Sequence, residues 1–237
     1  MTGYREFSEG YETINTVEDG DHISSSGSCT GIKSAHNNTV IVSGGNLANI
    51  TSKGDDTVIG SAGIRATIKS AGKRASIISS GEFATIEIWT GGDKTEIEST
   101  GENVTIVTNN PEASILSKGD YAFVSVKGKS SVITSEGDYA KIISNGDNAI
   151  INSNGREAKI LCSGMNPIVR AKIGSTIRMT ESKFDATTRI CNSIHIKTFT
   201  VDGEKIKENV YYTIKNGKIV PCCEDLEKEK PELANVI

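Results

Sequence analysis

Aromatic residues make up only 5% of the 237 positions, with a single Trp and three His, and no apolar run approaches the ~20 residues of a membrane-spanning helix. Residues 1–10 lack the apolar core of a secretory leader. These absences point to a soluble protein, with a cytoplasm as the simplest location. Net charge is −4 and the pI is near 5.5, so no broad basic footprint for nucleic acid is expected. The five cysteines, Cys29, Cys162, Cys191, Cys222 and Cys223, are odd in number, lack metal-site spacing and read as reduced thiols. His22, His36 and His195 are far apart, and no Gly-rich phosphate loop precedes a helix. An enzyme is not expected, nor is a metal or cofactor.

What is present is glycine at a fixed interval. Between residues 27 and 172 a nine-residue unit, roughly Gly-Asp-x-Ala-x-Ile-x-Ser-x, occurs sixteen times. Its sixth position is Ile or Val in every unit, from Ile32 and Ile41 to Ile160 and Val169. One spacing departs: eleven residues separate Gly81 from Gly92, so the unit with Trp89 carries two extra residues. Positions four, six and eight are small, Ile and Ser, while the residues between them vary, the alternation of a strand with one buried face. Each unit is therefore a short strand and a tight corner. His36 and Asn110 replace Gly at the unit start, and both tolerate positive φ, so the first position is expected to need that backbone state. Asp55, Asp93, Asp120, Asp138 and Asp147, at position two, suit turn chemistry.

One unit cannot bury its Ile alone, so stacking into a solenoid is obligatory. Position eight sets the coil. Ser99, Ser117, Ser135 and Ser153 recur every eighteen residues, while Thr108, Val126, Ser144 and Cys162 form a mixed column. A period of twenty-seven would mix the two, so the expected fold is an all-β, single-chain β-solenoid with two units per coil and about eight turns. Stacked at ~4.8 Å, these give a rod of roughly 40 Å. Ala at position four lets the two sheets approach, Cys162 reads as a small core residue, and the inward Ser hydroxyls need partners from stacked Ser or from corner backbone.

The ends differ. Residues 1–26 read as an N-terminal cap in which Asp21, Ile23 and Ser25 fit a degenerate first unit, and the solenoid is assigned to 27–180. Residues 181–223 read as a small C-terminal antiparallel β module that covers the last coil or mediates assembly, with Asp202-Gly203 and Asn216-Gly217 as hairpin signals. Residues 224–237 are a charged tail, either a short helix before Pro231 or disordered.

Other solenoid activities fit poorly. Calcium-binding rolls place Asp where this unit has Ile, and left-handed acyltransferase solenoids repeat every six residues. The outward file Thr67, Thr85, Thr105 is too short and too close to Lys69 and Glu87 for an ice-binding array. The richest outward surface is in the second half, where an eighteen-residue coil stacks Tyr121 with Tyr139, Phe123 with Lys141, and Lys141 with Lys159 on one sheet face. Aromatics ringed by cations suit a protein hot spot or stacking on a nucleobase, or else ladder support between neighbouring strands or contact with the C-terminal module. Trp89, in the insertion, is a second candidate, because insertions in solenoids map to loops on one face.

The run Gly-Asp-Tyr-Ala-Lys-Ile-Ile-Ser-Asn at 137–145, with Val-Asp-Gly-Glu-Lys-Ile-Lys at 201–207 and Tyr-Thr-Ile-Lys-Asn-Gly-Lys at 212–218, resembles nonapeptide tandem-repeat proteins of phages and prophages. The resemblance covers most of the chain and implies a mobile-element context, but it carries over no catalytic residue. Two functions are expected from this. One is a non-enzymatic rigid scaffold, phage-encoded, that binds and modulates a host or defence protein. The alternative is a structural component of a virion or surface appendage that self-associates into a homo-oligomer through the C-terminal module. A third, weaker expectation is an enzyme whose site forms between chains.

Overall fold

The computed structural model describes residues 4–89 and 94–222, and among them there are twenty-three strands and no helix. The tail 224–237, with its two readings, lies outside the described residues, as do residues 90–93 of the insertion.

From Tyr4–Phe7 to Thr176–Asp185 successive strands alternate between two sheets, so each strand's parallel hydrogen-bonded neighbour lies one coil, two units, away. Ile115, Ile133 and Ile151 are in register on one sheet, and Ile106, Val124 and Ile142 on the other. Ser99, Ser117, Ser135 and Ser153 form one column, and Thr108, Val126, Ser144 and Cys162 another, as a two-unit coil requires. Each sheet holds ten parallel strands before its antiparallel end, giving ten coils and a rod of roughly 45 Å. The two coils beyond the expected eight come from the flanks of the repeat. Tyr4–Phe7 pairs with His22–Ser25 and Thr13–Asn15 with Gly31–Ser34, while Thr176–Asp185 joins the sheet beside Lys159–Cys162. Every sixth-position Ile and Val is buried, each worth ~1.5–3 kcal/mol of apolar burial.

The corner corrects the expectation about glycine. Positive φ occurs at the third position of all sixteen units, from 50° to 59°, and at none of the first-position Gly among the described residues. The first position is Gly because stacked corners touch through their backbones. A Cβ on Gly137 would lie 2.7 Å from Asp120 N and closer still to the Gly119 carbonyl. His36 and Asn110 also take this slot; the residues eighteen positions before them are Glu18 and Gly92. The second position also acts between coils rather than within the turn. Oδ1 of Asp19, Asn37, Asn46, Asp55, Asp120, Asp138 and Asp147 each accepts the N–H of the second residue one coil on, at 2.7–2.9 Å.

The Ser column divides by its neighbour at position four. Ser34 and Ser52 meet Thr39 and Thr57 at 3.1 and 3.0 Å. Where Ala or Val follows instead, the buried hydroxyls of Ser43, Ser61, Ser70, Ser79, Ser99, Ser117, Ser135, Ser144 and Ser153 have no partner, so stacked Ser does not serve Ser.

At the far end, Thr176–Asp185 runs across residue 180 without a break and pairs antiparallel with Ile190–Thr200, with a bulge at Glu181/Ser182. A second hairpin joins Tyr212–Lys215 to Lys218–Pro221 through Asn216-Gly217, both at positive φ, as expected. Asp202-Gly203 is not a hairpin. The Asp202 carboxylate accepts the N–H of Glu204, Lys205 and Ile206, each at 2.9 Å, in a turn that carries the chain from one sheet to the other. Val201, Tyr212 and Ile214 are buried and close the core over the last coil. Glu181 ties the hairpins together: its carboxylate accepts Gly217 N at 2.7 Å and Asn216 N at 2.8 Å and lies 2.8 Å from His195 Nδ1.

Candidate functional site

Strands of the sheet that holds Phe123–Val126 and Lys141–Ser144 are parallel, so all of their starts lie on one edge of the rod and all of their ends on the other. Tyr121 and Tyr139, two residues before those strands, occupy the third position of the corner. They are therefore on the edge, beside the sheet face rather than on it. Their rings stack at 5.1 Å between centroids and 8° between planes. On the adjoining face Phe123, Lys141 and Lys159 are in register, with Lys141 Nζ 5.4 Å from the centre of the Phe123 ring. Tyr121, Tyr139, Lys141 and Lys159 are exposed and Phe123 is half-buried. These five residues form one continuous surface.

Trp89 does not join it. It follows the strand Thr85–Ile88 and so lies at the opposite edge, half exposed, with Nε1 3.3 Å from Glu87 Oε2. The file Thr67, Thr85, Thr105 is in register, with Lys69 and Glu87 paired beside it at 3.1 Å.

Corner hydrogen bonds hold the surface rigid. Asp138 Oδ1 takes Arg156 N at 2.7 Å and Oδ2 takes Arg156 Nη2 at 2.6 Å, and the guanidinium keeps this carboxyl below the usual carboxylate range. The acidic side chains are thus used between coils. Lys141 and Lys159, by contrast, enter no ion pair among the described residues.

The tyrosine pair belongs to a longer ridge that pairwise inspection of the second half missed. The same corner reads Tyr11, Cys29, Leu47, Arg65, Phe83 and Asn103 in the coils before it and Glu157 in the coil after, with the Arg65 guanidinium 5.8 Å from the Phe83 ring centre. Tyr11, Leu47, Phe83, Tyr121 and Tyr139 are between 45% and 88% exposed. The opposite corner has the same backbone but reads Asn38, Asp56, Arg74, Lys94, Glu112, Ser130, Asn148, Asn166, without an aromatic. Left-handed φ costs a bulky L-residue ~1–2 kcal/mol, which Asn and Gly largely avoid. Corner geometry therefore does not call for the aromatics, since the same position of the opposite corner is filled without them; Trp89, half exposed on that edge, follows a strand end and stands outside the column. Reading position three every eighteen residues is the signal that would have found them.

Among the described residues no cluster of three or more His, Cys, Asp or Glu could hold a metal ion. No helix among the described residues is long and apolar enough to cross a membrane. The fold defines a class, the β-solenoids, here with two units per coil and an antiparallel end. Comparison with protein-family models, curated proteins and solved structures finds no match to the chain.

Proposed function

We propose that the chain is a non-enzymatic, rigid scaffold that binds a protein partner through its aromatic edge, and that it is a phage-encoded factor acting on a host or defence protein. The observation that carries the reading is the asymmetry of the two corners at their shared left-handed third position: exposed Leu, Phe and Tyr fill it on one edge, and no aromatic fills it on the other, whose exposed Trp89 stands outside that column. Exposed aromatics beside Lys141 and Lys159 match the composition of interface hot spots, and a corner locked by inter-coil hydrogen bonds loses little freedom on binding. The mobile-element context rests on the resemblance of 137–145 and the C-terminal runs to phage-type repeats.

The test is an affinity capture from nuclease-treated bacterial lysate with the wild type and with Tyr121→Asn/Tyr139→Asn. Asn already stands in this column at Asn103, so the variant keeps the corner. A protein retained by the wild type and lost from the variant supports the reading. The same proteins captured by both, or none by either, would overturn it.

A further inference from the structure

The aromatic edge is interrupted once in its most aromatic stretch. Its left-handed column reads Phe83, Asn103, Tyr121 and Tyr139 over four successive coils, and Asn103 is the one short side chain among them. The corners stack regularly here, although twenty residues rather than eighteen separate Phe83 from Asn103. Phe83 N donates to the Glu102 carbonyl and Asn103 N to the Asp120 carbonyl, each at 2.9 Å. Stacking at ~4.8 Å per coil therefore sets Phe83 and Tyr121, two coils apart, at about 10 Å from each other. Each ring already has one face covered. The Arg65 guanidinium lies 5.8 Å from the Phe83 ring centre, from the coil before it, and Tyr139 stacks on Tyr121 at 5.1 Å, from the coil after it. The two remaining faces look at each other across Asn103, whose short side chain leaves the outer part of the gap open. Phe83, Asn103 and Tyr121 are all exposed.

A gap of this width holds one flat ring. Placed midway, the ring lies ~5 Å from each neighbour, inside the roughly 4.5–7 Å range of stacked aromatic pairs. Tyr121 and Tyr139 keep the same interval, 5.1 Å. An aliphatic side chain could enter, but it gains no ring contact on either side. Charge separates the two classes of molecule that carry flat rings. Glu82 and Glu102, the residues before Phe83 and Asn103, are exposed and enter no ion pair among the described residues. Two open carboxylates at the mouth of the slot repel a phosphate backbone, which weighs against a nucleobase, and attract Lys or Arg.

We infer that the slot between Phe83 and Tyr121 receives an aromatic side chain of the protein partner, carried on a segment with Lys or Arg beside it. The inference rests on the reading of the aromatic edge as a binding surface and names what enters it. Phe83 and Tyr121 clamp the two faces of the incoming ring. The Asn103 carboxamide, which makes no hydrogen bond among the described residues, meets its rim. Glu82 and Glu102 hold the basic neighbours.

The experiment is an NMR titration of the isotope-labelled full chain with the tripeptide acetyl-Lys-Trp-Lys-amide and, separately, with acetyl-Lys-Leu-Lys-amide and with tetrathymidylate. The tryptophan peptide is expected to shift the backbone amides of Phe83, Asn103 and Tyr121 and to bind on the order of tenfold tighter than the leucine peptide. Tetrathymidylate is expected to leave those amides unmoved. Two variants fix the cause. Asn103→Tyr fills the slot with a side chain the same column already carries at Tyr121 and Tyr139, and is expected to abolish the response. Asn103→Ser keeps the slot open and is expected to retain it, since Ser130 holds the same left-handed position on the opposite corner. The inference is overturned by no shift at these amides, by equal binding of the leucine peptide, or by tetrathymidylate moving the same amides. An undiminished response in Asn103→Tyr, or its loss in Asn103→Ser, overturns it as well. The lysate capture keeps the two readings apart. A partner lost from Tyr121→Asn/Tyr139→Asn yet kept by Asn103→Tyr refutes the slot and leaves the binding edge standing, whereas a wild type that captures nothing refutes the edge while the titration still decides the slot.

Discussion

Gly137→Ala tests why glycine recurs at every first position. Its Cβ would lie 2.7 Å from Asp120 N and nearer still to the Gly119 carbonyl, whereas ordinary contact begins at 3.4 Å and real Cβ atoms essentially never come within 3.0 Å. The two corners must part, and two bonds between them are at stake: Asp138 N to Asp120 Oδ1 at 2.8 Å and Tyr121 N to Asp138 O at 2.9 Å. Forced separation costs ~1–3 kcal/mol, and each weakened bond up to about 0.5–1.5 kcal/mol. The sum is a loss of roughly 2–6 kcal/mol. Gly44 is the internal control, at a last position with nothing within 4 Å of its added Cβ and without positive φ. Gly44→Ala removes unfolded-chain freedom and is expected to be neutral or to stabilise by up to ~1 kcal/mol. Urea unfolding followed by circular dichroism reads both. Equal midpoints for the two variants, or a neutral Gly137→Ala, would refute the close-approach account and return the glycine column to a conformational explanation.

Ser135→Ala deletes a buried hydroxyl without a partner and is expected to leave stability unchanged or raise it by ~1 kcal/mol, while Ser52→Ala breaks the 3.0 Å contact with Thr57 and lowers it by a similar amount in the same assay. Glu181 is held below the usual carboxylate range, first by the Gly217 N–H and then by Asn216 N–H and His195. A carboxylate depressed in the folded state stabilises above its ordinary value and loses that contribution as pH falls through the folded one. Exchange protection of the Gly217 amide should therefore drop in acid in the wild type, with little pH response in Glu181→Gln. Burial pushes the Cys162 thiol up to about 12, so iodoacetamide at pH 8 should label exposed Cys191 in the native protein and leave Cys162 unmodified until the chain unfolds. Equal labelling of the two would contradict the buried core column.

The coil was legible because period two and period eighteen are both written in side chains: Ile at position six marks the inward face, and the separation of a Ser column from a mixed one marks two units per turn. The corner was read wrongly for a physical reason. Glycine signals either a left-handed backbone or a close approach, and composition does not separate the two. The left-handed residue is the third one, where Tyr, Phe, Leu and Arg stand and give no sign of it. Asp202-Gly203 misled in the same way, since a hairpin dipeptide and an Asp that caps the next three amides look alike in sequence. The stacking of Tyr121 on Tyr139 and of Lys141 over Phe123 followed from the eighteen-residue register. The placement of Trp89 on the far edge did not, because it depends on strand direction within the sheet.

The central claim is that one edge of the rod, and not the other, contacts a partner. The measurement that tests it most directly places a photoreactive benzoylphenylalanine at position 121 or, on the opposite corner, at position 148, and cross-links each protein in bacterial lysate. The account predicts a discrete adduct with a second protein from position 121 and none from position 148. Adducts of equal yield from both positions, from position 148 alone, or from neither would contradict it.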